Sequence, residues 1–351
     1  MTTSIRFHYS DFPTHLREHI YYTTPLAICQ VLWYNVFRLF LRNFKMRNFK
    51  NGHYYSLNEY LQSTFGCKVY KISLNGGFTC PNRDGTIGTK GCIFCSAGGS
   101  GEFSENSTKS ITQQIELAKN RVSNKIHSGK YIAYFQAFTN TYAPVKYLKK
   151  IFYEAINHND IVALSVATRP DCLPDDILEL LDELNKIKPV WVELGLQTIH
   201  NETAEYIRRG YNLSVYDTAV KNLKSININT VVHIILGLPY ENKSMMIDSV
   251  KYVCSSGIDG IKLQLLHVLK NTDLAADYKK GVFKVMSMDE YIDLICNCIE
   301  IIPENIVIHR LTGDGDKKIL IAPLWSGNKK VVLNAMNKSF NDRNIKQGSK
   351  L

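Results

Sequence analysis

"VWVELGLQ", residues 190–197, alternates strictly. In an extended strand Val190, Val192, Leu194 and Leu196 face one way, and Trp191, Glu193, Gly195 and Gln197 face the other. A parallel strand covered by helices on both sides reads apolar throughout. This one carries a carboxylate and an amide on a single face, so that face looks into a wet or ligand-filled space. Two other strands repeat the pattern: Ile261, Leu263 and Leu265 oppose Lys262 and Gln264, and Lys71, Ser73 and Asn75 share a face.

Outward from residue 190, β-rich runs alternate with helical patterns. The strands read as 68–75, 131–138, 161–168, 190–197, 229–236 and 259–266, and the helices as 109–126, 145–158, 174–187, 214–226, 243–256 and 287–302. Strand–helix alternation implies βαβ units and a parallel sheet. A closed eight-stranded barrel fills its interior with Val, Ile and Leu. Six strands with a polar lining predict an α/β fold built as a partial, open (β/α)6 barrel resembling a TIM barrel. Residues 46–270 form this core, and residues 271–351 form a C-terminal α/β extension packed on it. In such architectures ligands sit at the C-terminal strand ends. The loop after the first strand, "QAFTNT", "TRPD", Gln197, "GLP" and His267 all fall there.

Composition sets the class. The chain has 351 residues, 45% hydrophobic and 21% charged, as in an ordinary globular protein. Nine cysteines, an odd number in a long chain without an evident secretory signal, indicate reduced thiols and a cytoplasmic location. The net charge is +10, and residues 1–50 hold seven Lys/Arg against Asp11 and Glu18. The surplus favours a polyanionic partner such as RNA. Residues 25–44 are apolar but interrupted by Gln30, Asn35, Arg38 and Arg42, which argues against a membrane span. Residues 1–45 read as an N-terminal extension, either a docked or interfacial amphipathic helix or a segment upstream of a working start at Met46.

"GGFTCPNRDGTIGTKGCIFC" (76–95) holds Cys80, Cys92 and Cys95 in the spacing C-x11-C-x2-C. Structural zinc takes four protein ligands, which His127, His158 or another distant residue would have to complete. A redox dithiol at Cys92 and Cys95 leaves Cys80 unexplained. An iron–sulfur cube held by three thiolates keeps one iron open to a substrate or cofactor. Spacing alone leaves these readings open.

The motifs then carry a resemblance. "GGFTCPNRDGTIGTKGCIFC", "ATRPDCLPDD", "ELGLQTIHNETAEYIRRGY", "HIILGLPYENKSMM" and "DGIKLQLLHVLKNTDL" occur in this order, followed by "VIHRLTGDGD" and "IAPLWSGNKK". From about residue 50 onward the chain resembles the radical S-adenosylmethionine (SAM) enzymes, in the branch of the elongator catalytic subunit and its stand-alone bacterial YtqA/YhcC-like group. The resemblance implies that Cys80, Cys92 and Cys95 hold three irons of a 4Fe–4S cluster. The fourth iron is chelated by SAM, whose cleavage yields a 5′-deoxyadenosyl radical. It also implies a reducing electron donor of the flavodoxin or ferredoxin type.

Other positions carry over singly. Phe94 precedes the last cysteine and is expected near the adenine. The family's Gly-Gly-Glu at the second strand is absent, and Gln136 or Asn140 stands in for it. Arg169, Glu193 and Gln197 are expected at the ribose or methionyl group, Arg209 at the SAM carboxylate, and Gly237 with Leu238 and Pro239 at the nucleoside. Tyr211 stands where relatives often have His. The substrate implied is tRNA, at the C5 side chain of the wobble uridine, for example a carboxymethylaminomethyl-to-aminomethyl step. No acetyl-CoA chemistry is expected, because the acetyltransferase domain of the elongator relatives has no counterpart here. Alternatives are a radical enzyme acting on a small metabolite or peptide, and a zinc-stabilised, non-catalytic RNA-binding protein. The remaining cysteines (Cys29, Cys67, Cys172, Cys254, Cys296, Cys298) read as small buried hydrophobes. His233 and His309 read as structural hydrogen-bonders, His267 as a rim residue, and residues 312–316 as a turn.

Overall fold

The computed structural model describes residues 47–99, 101, 104, 106–125, 129–313, 315 and 317–351. The chain divides into two compact units, residues 1–48 and 49–351, and the second holds all the elements named below. The extension expected at residues 1–45 lies outside the described residues, as does its apolar stretch. Among the described residues no helix is long and apolar enough to cross a membrane.

Six βα units run in chain order. Strands β1 (Val69–Leu74), β2 (Lys130–Phe135), β3 (Ile161–Thr168), β4 (Val190–Gln197), β5 (Asn229–Leu236) and β6 (Gly260–Leu265) match the expected runs within three residues at each end. The sheet continues past the sixth strand. Residues Val307–Arg310 pair in parallel with β6 as a seventh strand, giving the order β1-β2-β3-β4-β5-β6-β8, where β8 is this last strand and β7 is Val268–Leu269. "VIHR" is too short to show a period, so a six-stranded reading stops one strand early. Strand β7 pairs antiparallel with β9 (Leu320–Ala322) in a separate two-stranded ribbon.

The sheet is strongly curled. Adjacent strands lie about 4.8 Å apart, so β2 and β6 would be roughly 19 Å apart in a flat sheet. Yet the Lys262 ammonium on β6 lies 3.4 Å from the Tyr134 hydroxyl on β2. The curl stops short of closure: β1 and β8 are not paired. Residues Tyr55 and Ser56 run beside β8, where the Ile308 amide donates to the Tyr55 carbonyl at 2.8 Å.

Outward-facing strand residues, among them Val190, Val192, Leu194 and Leu196, form one continuous core with the surrounding helices. Those helices include α1 (Leu57–Phe65), α2 (Ile111–Val122), α3 (Val145–Ile156), α4 (Asp175–Asn185), α5 (Asn201–Tyr206), α6 (Leu213–Ser225), α7 (Lys243–Ser255), α8 (Asp273–Lys279), α9 (Met288–Ile301) and α10 (Lys329–Asp342). Helices α2 and α9 begin with reciprocal capping boxes, Ser110 with Gln113 and Ser287 with Glu290. Cys296 and Cys298 are both buried in α9, and Cys172 is buried too.

Inside, the barrel is plugged at the N-terminal strand ends. Leu61 of α1 joins Val69, Ile132, Ala163 and Trp191 in an apolar floor, and the Trp191 ring meets Tyr60 and His309 with centroids 5.7 Å away in each case. Trp191→Ala should cost about 3–5 kcal/mol of unfolding free energy, read by denaturant titration. A loss below about 1 kcal/mol would mean that this floor does not hold the barrel together.

Candidate active site

Above the floor the open barrel encloses a cavity of about 820 Å³. The loop after β1 forms one wall. Glycines let it lie against the turn after β2. A Cβ on Gly99, at φ +57°, would fall 2.4 Å from the Phe138 ring, and one on Gly101 would fall 2.5 Å from Ala137. Arg83 stacks over Phe138 at 5.6 Å and donates to the carbonyls of Cys95 (3.1 Å) and Ser96 (2.5 Å). Asn82 donates to the Arg208 carbonyl at 2.7 Å and to the Cys92 sulfur at 3.5 Å. The Leu274 amide in α8 donates to the Ile93 carbonyl at 3.0 Å, tying the loop to the C-terminal part of the chain. Burial and the neighbouring Cys95 push the Cys92 thiol up to about 11, with Arg169 opposing.

Two arginines flank Tyr211, Arg169 just after β3 and Arg209 in the turn after α5. Arg169 holds Asp171 through two bonds, at 2.9 and 2.6 Å, and lies 5.2 Å from the Tyr211 ring centre. Arg209 lies 4.6 Å from the same ring and donates to the carbonyls of Thr198 (2.5 Å) and Tyr211 (3.1 and 3.0 Å). The Tyr211 hydroxyl donates to the Gly195 carbonyl. Gln197 ends β4 at φ +74°, the left-handed region that a non-glycine residue occupies at a cost. Its amide nitrogen folds back over Gly195, where a Cβ would sit only 2.9 Å away.

Between floor and rim lies an ionic layer centred on Glu193. One carboxylate oxygen accepts from Lys71 and from Ser165 at 2.8 Å. The other accepts from Lys262 and meets His233 Nε2 at 3.0 Å. The side chain of Glu193 is fully buried. Burial would lift its carboxyl, but Lys262 and Lys71 outweigh that and hold it well below the usual carboxylate range. Burial, seconded by Lys262, pushes the His233 ring down to about 4 and keeps it neutral. Burial also pushes the Lys262 ammonium down to about 7: Glu193 opposes, while Lys71 and Arg310 add to the depression. Both lysines lie against the Tyr134 ring, at 4.6 and 4.9 Å.

The expected site residues largely converge. Cys80, Cys92, Cys95, Phe94, Gln136, Arg169, Glu193, Gln197 and Arg209 all line this one cavity. Gly237, at φ +89°, lies behind the lining with Met286 against it. Asn140 is also outside the lining: its amide donates to the Ala167 carbonyl at 2.7 Å, which leaves Gln136 as the polar residue facing inward from the β2 end. Glu193, expected at the ribose or methionyl group, has both oxygens occupied by protein partners.

Sequence reasoning missed Arg83 and Asn82, which shape the cysteine loop, and the link from Lys71 to Glu193. Lys71 was visible on the polar face of β1, but its partner is 122 residues away. Gly313 and Gly315 pack under His267, where added Cβ atoms would fall 2.7 and 3.1 Å from the ring. Gly313 and Gly315 thus close the β6 side of the rim.

The donor set fits a cluster better than a single ion. Among the described residues, the one group of three metal-type ligands whose atoms lie within 4.8 Å of one another is Glu116, His158 and Asp160. The three cysteines are therefore spread more widely than a single zinc requires, as suits a cluster that offers each thiolate its own iron. His158 lies just before β3, at the opposite end of the barrel from the cysteines, and bonds Glu116 at 3.0 Å. It cannot complete a zinc site with them. His127 lies outside the described residues.

A half-barrel of parallel strands with three cysteines in the loop after β1 defines a class, and the comparisons agree with it. Residues 80–253 match the Radical SAM superfamily, and residues 258–342 match the Radical SAM C-terminal domain. The chain belongs to the radical SAM family. Its relatives include YtqA of Bacillus subtilis, 48% identical over 295 residues that cover 84% of this chain and 92% of the relative. A tRNA uridine(34) acetyltransferase of Methanocaldococcus jannaschii is 28% identical over 164 residues, 46% of this chain and 30% of that protein. Among solved structures, Elp3 of Methanocaldococcus infernus shares the fold at a TM-score of 0.62 and 18% identity, covering 80% of this chain and 64% of that one. Membership in this family implies a 4Fe–4S cluster and SAM.

Two outcomes follow from the ionic layer. Removing the charge in Glu193→Gln leaves the buried Lys262 and the half-buried Lys71 without their shared carboxylate and should cost at least about 3 kcal/mol. The loss should shrink when Lys71→Met is added, since the repulsion then falls; additive losses in denaturant titrations would contradict the coupling. In a histidine-ring NMR titration, the resonance that disappears in His233→Gln should show a neutral ring at pH 5 and a midpoint near 4. A midpoint at or above 6.5 would show that the layer does not exclude the proton.

Proposed function

We propose that this radical SAM enzyme acts on tRNA, trimming a carboxymethylaminomethyl side chain at C5 of the wobble uridine to aminomethyl: SAM would serve as the two-electron oxidant of the N-bound methylene of the carboxymethyl group, and water would then cleave the resulting imine, releasing the two-carbon fragment as glyoxylate. Charge carries the nucleic-acid half of this reading. Among the described residues lining the cavity, eight are Lys or Arg and one, Glu193, is acidic. Lys317, Lys318 and Lys329 are exposed at the mouth, where phosphates can meet them. The relative named as a tRNA uridine(34) acetyltransferase supports the uridine half.

In this reading Cys80, Cys92 and Cys95 bind three irons of the cluster, and no fourth protein ligand competes with SAM. Bound together, cluster and SAM supply a hydrogen-abstracting equivalent when a flavodoxin- or ferredoxin-type donor provides an electron. The protein's own work is placement. Phe94 borders the adenine, and Gln136 and Gln197 offer amides toward SAM from the ends of β2 and β4. Arg169 and Arg209 keep positive charge beside its carboxylate, with Tyr211 fixed between them. Gly237 allows the fifth-strand turn to pass close behind. Glu193 acts through the lysines it holds, not through SAM. The apolar floor beneath excludes water from below.

The test uses purified, cluster-loaded protein with SAM, a reductant and tRNA rich in carboxymethylaminomethyluridine. Mass spectrometry of the digested nucleosides should show that nucleoside falling as aminomethyluridine rises. An unchanged profile alongside SAM cleavage would overturn the tRNA reading and leave the radical SAM assignment intact. Cys80→Ala, Cys92→Ala and Cys95→Ala should each lose bound iron and at least about a thousandfold in 5′-deoxyadenosine release, a loss of order 4 kcal/mol. A variant that keeps full iron and full release would remove that cysteine from the ligand set.

A further inference from the structure

Three polar groups stand in a row on the inner face of the sheet. Gly195 on β4, His233 on β5 and Lys262 on β6 are register partners, so their side-chain positions follow one another about 4.8 Å apart. Gly195 brings no side chain of its own. The Gln197 amide nitrogen takes that place, 2.9 Å from where a Cβ would lie. Gln197, His233 and Lys262 all line the cavity.

Each member of the row has a defined hydrogen-bonding sense. The ionised Glu193 carboxylate can only accept, so His233 donates to it through Nε2–H at 3.0 Å. Burial, with Lys262 adding to it, keeps the ring neutral. A neutral ring with its proton on Nε2 presents Nδ1 as an acceptor. The His233 side chain is 21% exposed, and Nδ1 has no partner among the described residues. Lys262 carries three N–H groups. Glu193 takes one, and the Tyr134 hydroxyl at 3.4 Å takes another, which leaves the third to donate. The Gln197 amide has two N–H groups and a carbonyl, so it can serve SAM and the row together. The row therefore reads donor, acceptor, donor.

Resting on the tRNA reading above, we propose that Gln197, His233 and Lys262 read the Watson–Crick edge of the wobble uracil. His233 Nδ1 accepts from N3–H, while Gln197 and Lys262 donate to the carbonyl oxygens on either side of it. A base read in this way is turned out of its stack into the cavity. Cytosine does not fit the row, because it sets the N3 lone pair against Nδ1 and its amino group against a donor. The C5 substituent lies off this edge, so the row accepts the uracil whatever C5 carries. His233 is the specificity-determining residue here, and Glu193 fixes its tautomer from behind.

The experiment compares binding of three anticodon stem-loop RNAs to the cluster-loaded protein with SAM. They carry uridine, N3-methyluridine or cytidine at the wobble position and are otherwise identical, so backbone phosphates contribute equally. Wild-type protein should prefer uridine by about tenfold or more over each of the others, the scale of a buried hydrogen-bonding group left without its partner. His233→Phe keeps a ring but removes the acceptor, and it should bind all three alike. Equal binding of the three RNAs by wild-type protein overturns the reader. A uridine preference retained in His233→Phe overturns the role of the histidine.

A second measurement needs no variant and keeps the reader separable from the tRNA reading. The His233 ring resonance of wild-type protein should move when the nucleoside uridine is added and stay in place with N3-methyluridine. If no RNA binds but this difference appears, the reader stands and the tRNA reading falls. If the ring responds to neither nucleoside, or to both alike, the reader is wrong.

Discussion

One carboxylate inside the barrel governs the architecture. Glu193 receives Lys71 from β1 and Lys262 from β6, strands that a flat sheet would keep far from β4. Bringing these ammonium groups to a single carboxylate requires the sheet to curl, and leaving them buried requires that every oxygen be satisfied. Ser165 and His233 complete that requirement. The result is a polar middle layer over an apolar floor, with space above it because charged side chains do not pack the interior as Val, Ile and Leu would. The cavity is thus a consequence of what β4 carries at one position. Buried ionic networks add little net stability compared with an apolar core, so the position reads as functional architecture.

The rim obeys a different logic. Its loops need close backbone approach and fixed carbonyl positions more than charge. Gly99 and Gly101 let the cysteine loop touch the β2 turn, and Arg83 and Asn82 bind carbonyls so that the three cysteines are presented from a held backbone. Arg209 similarly spends its guanidinium on the carbonyls of Thr198 and Tyr211. An arginine engaged in this way shapes the site through the backbone while keeping its positive charge beside the cavity.

Much of this was legible in the sequence because it depends on short-range pattern. The alternation in 190–197 announced an inward carboxylate, and the loop after the first strand announced three thiols without a fourth. Strand ends at 136, 169 and 197 were placed on one rim by topology alone. What escaped were features set by distant partners. Glu193 looked like a cofactor contact because its strand position is right, but only the curl shows that Lys71 and Lys262 already claim it. The strand at 307–310 escaped because four residues carry too little period. Asn140 and Gln136 were equivalent on paper, and a single turn of backbone after β2 puts one in the cavity and the other against Ala167.

The proposed chemistry depends on a cluster held by three thiolates with one iron open to SAM. Mössbauer spectroscopy of the reconstituted protein, before and after SAM is added, tests this most directly. Four irons should be present, one of which changes its isomer shift when SAM binds. Four irons all insensitive to SAM, or stoichiometric zinc without iron in anaerobically isolated protein, would contradict it.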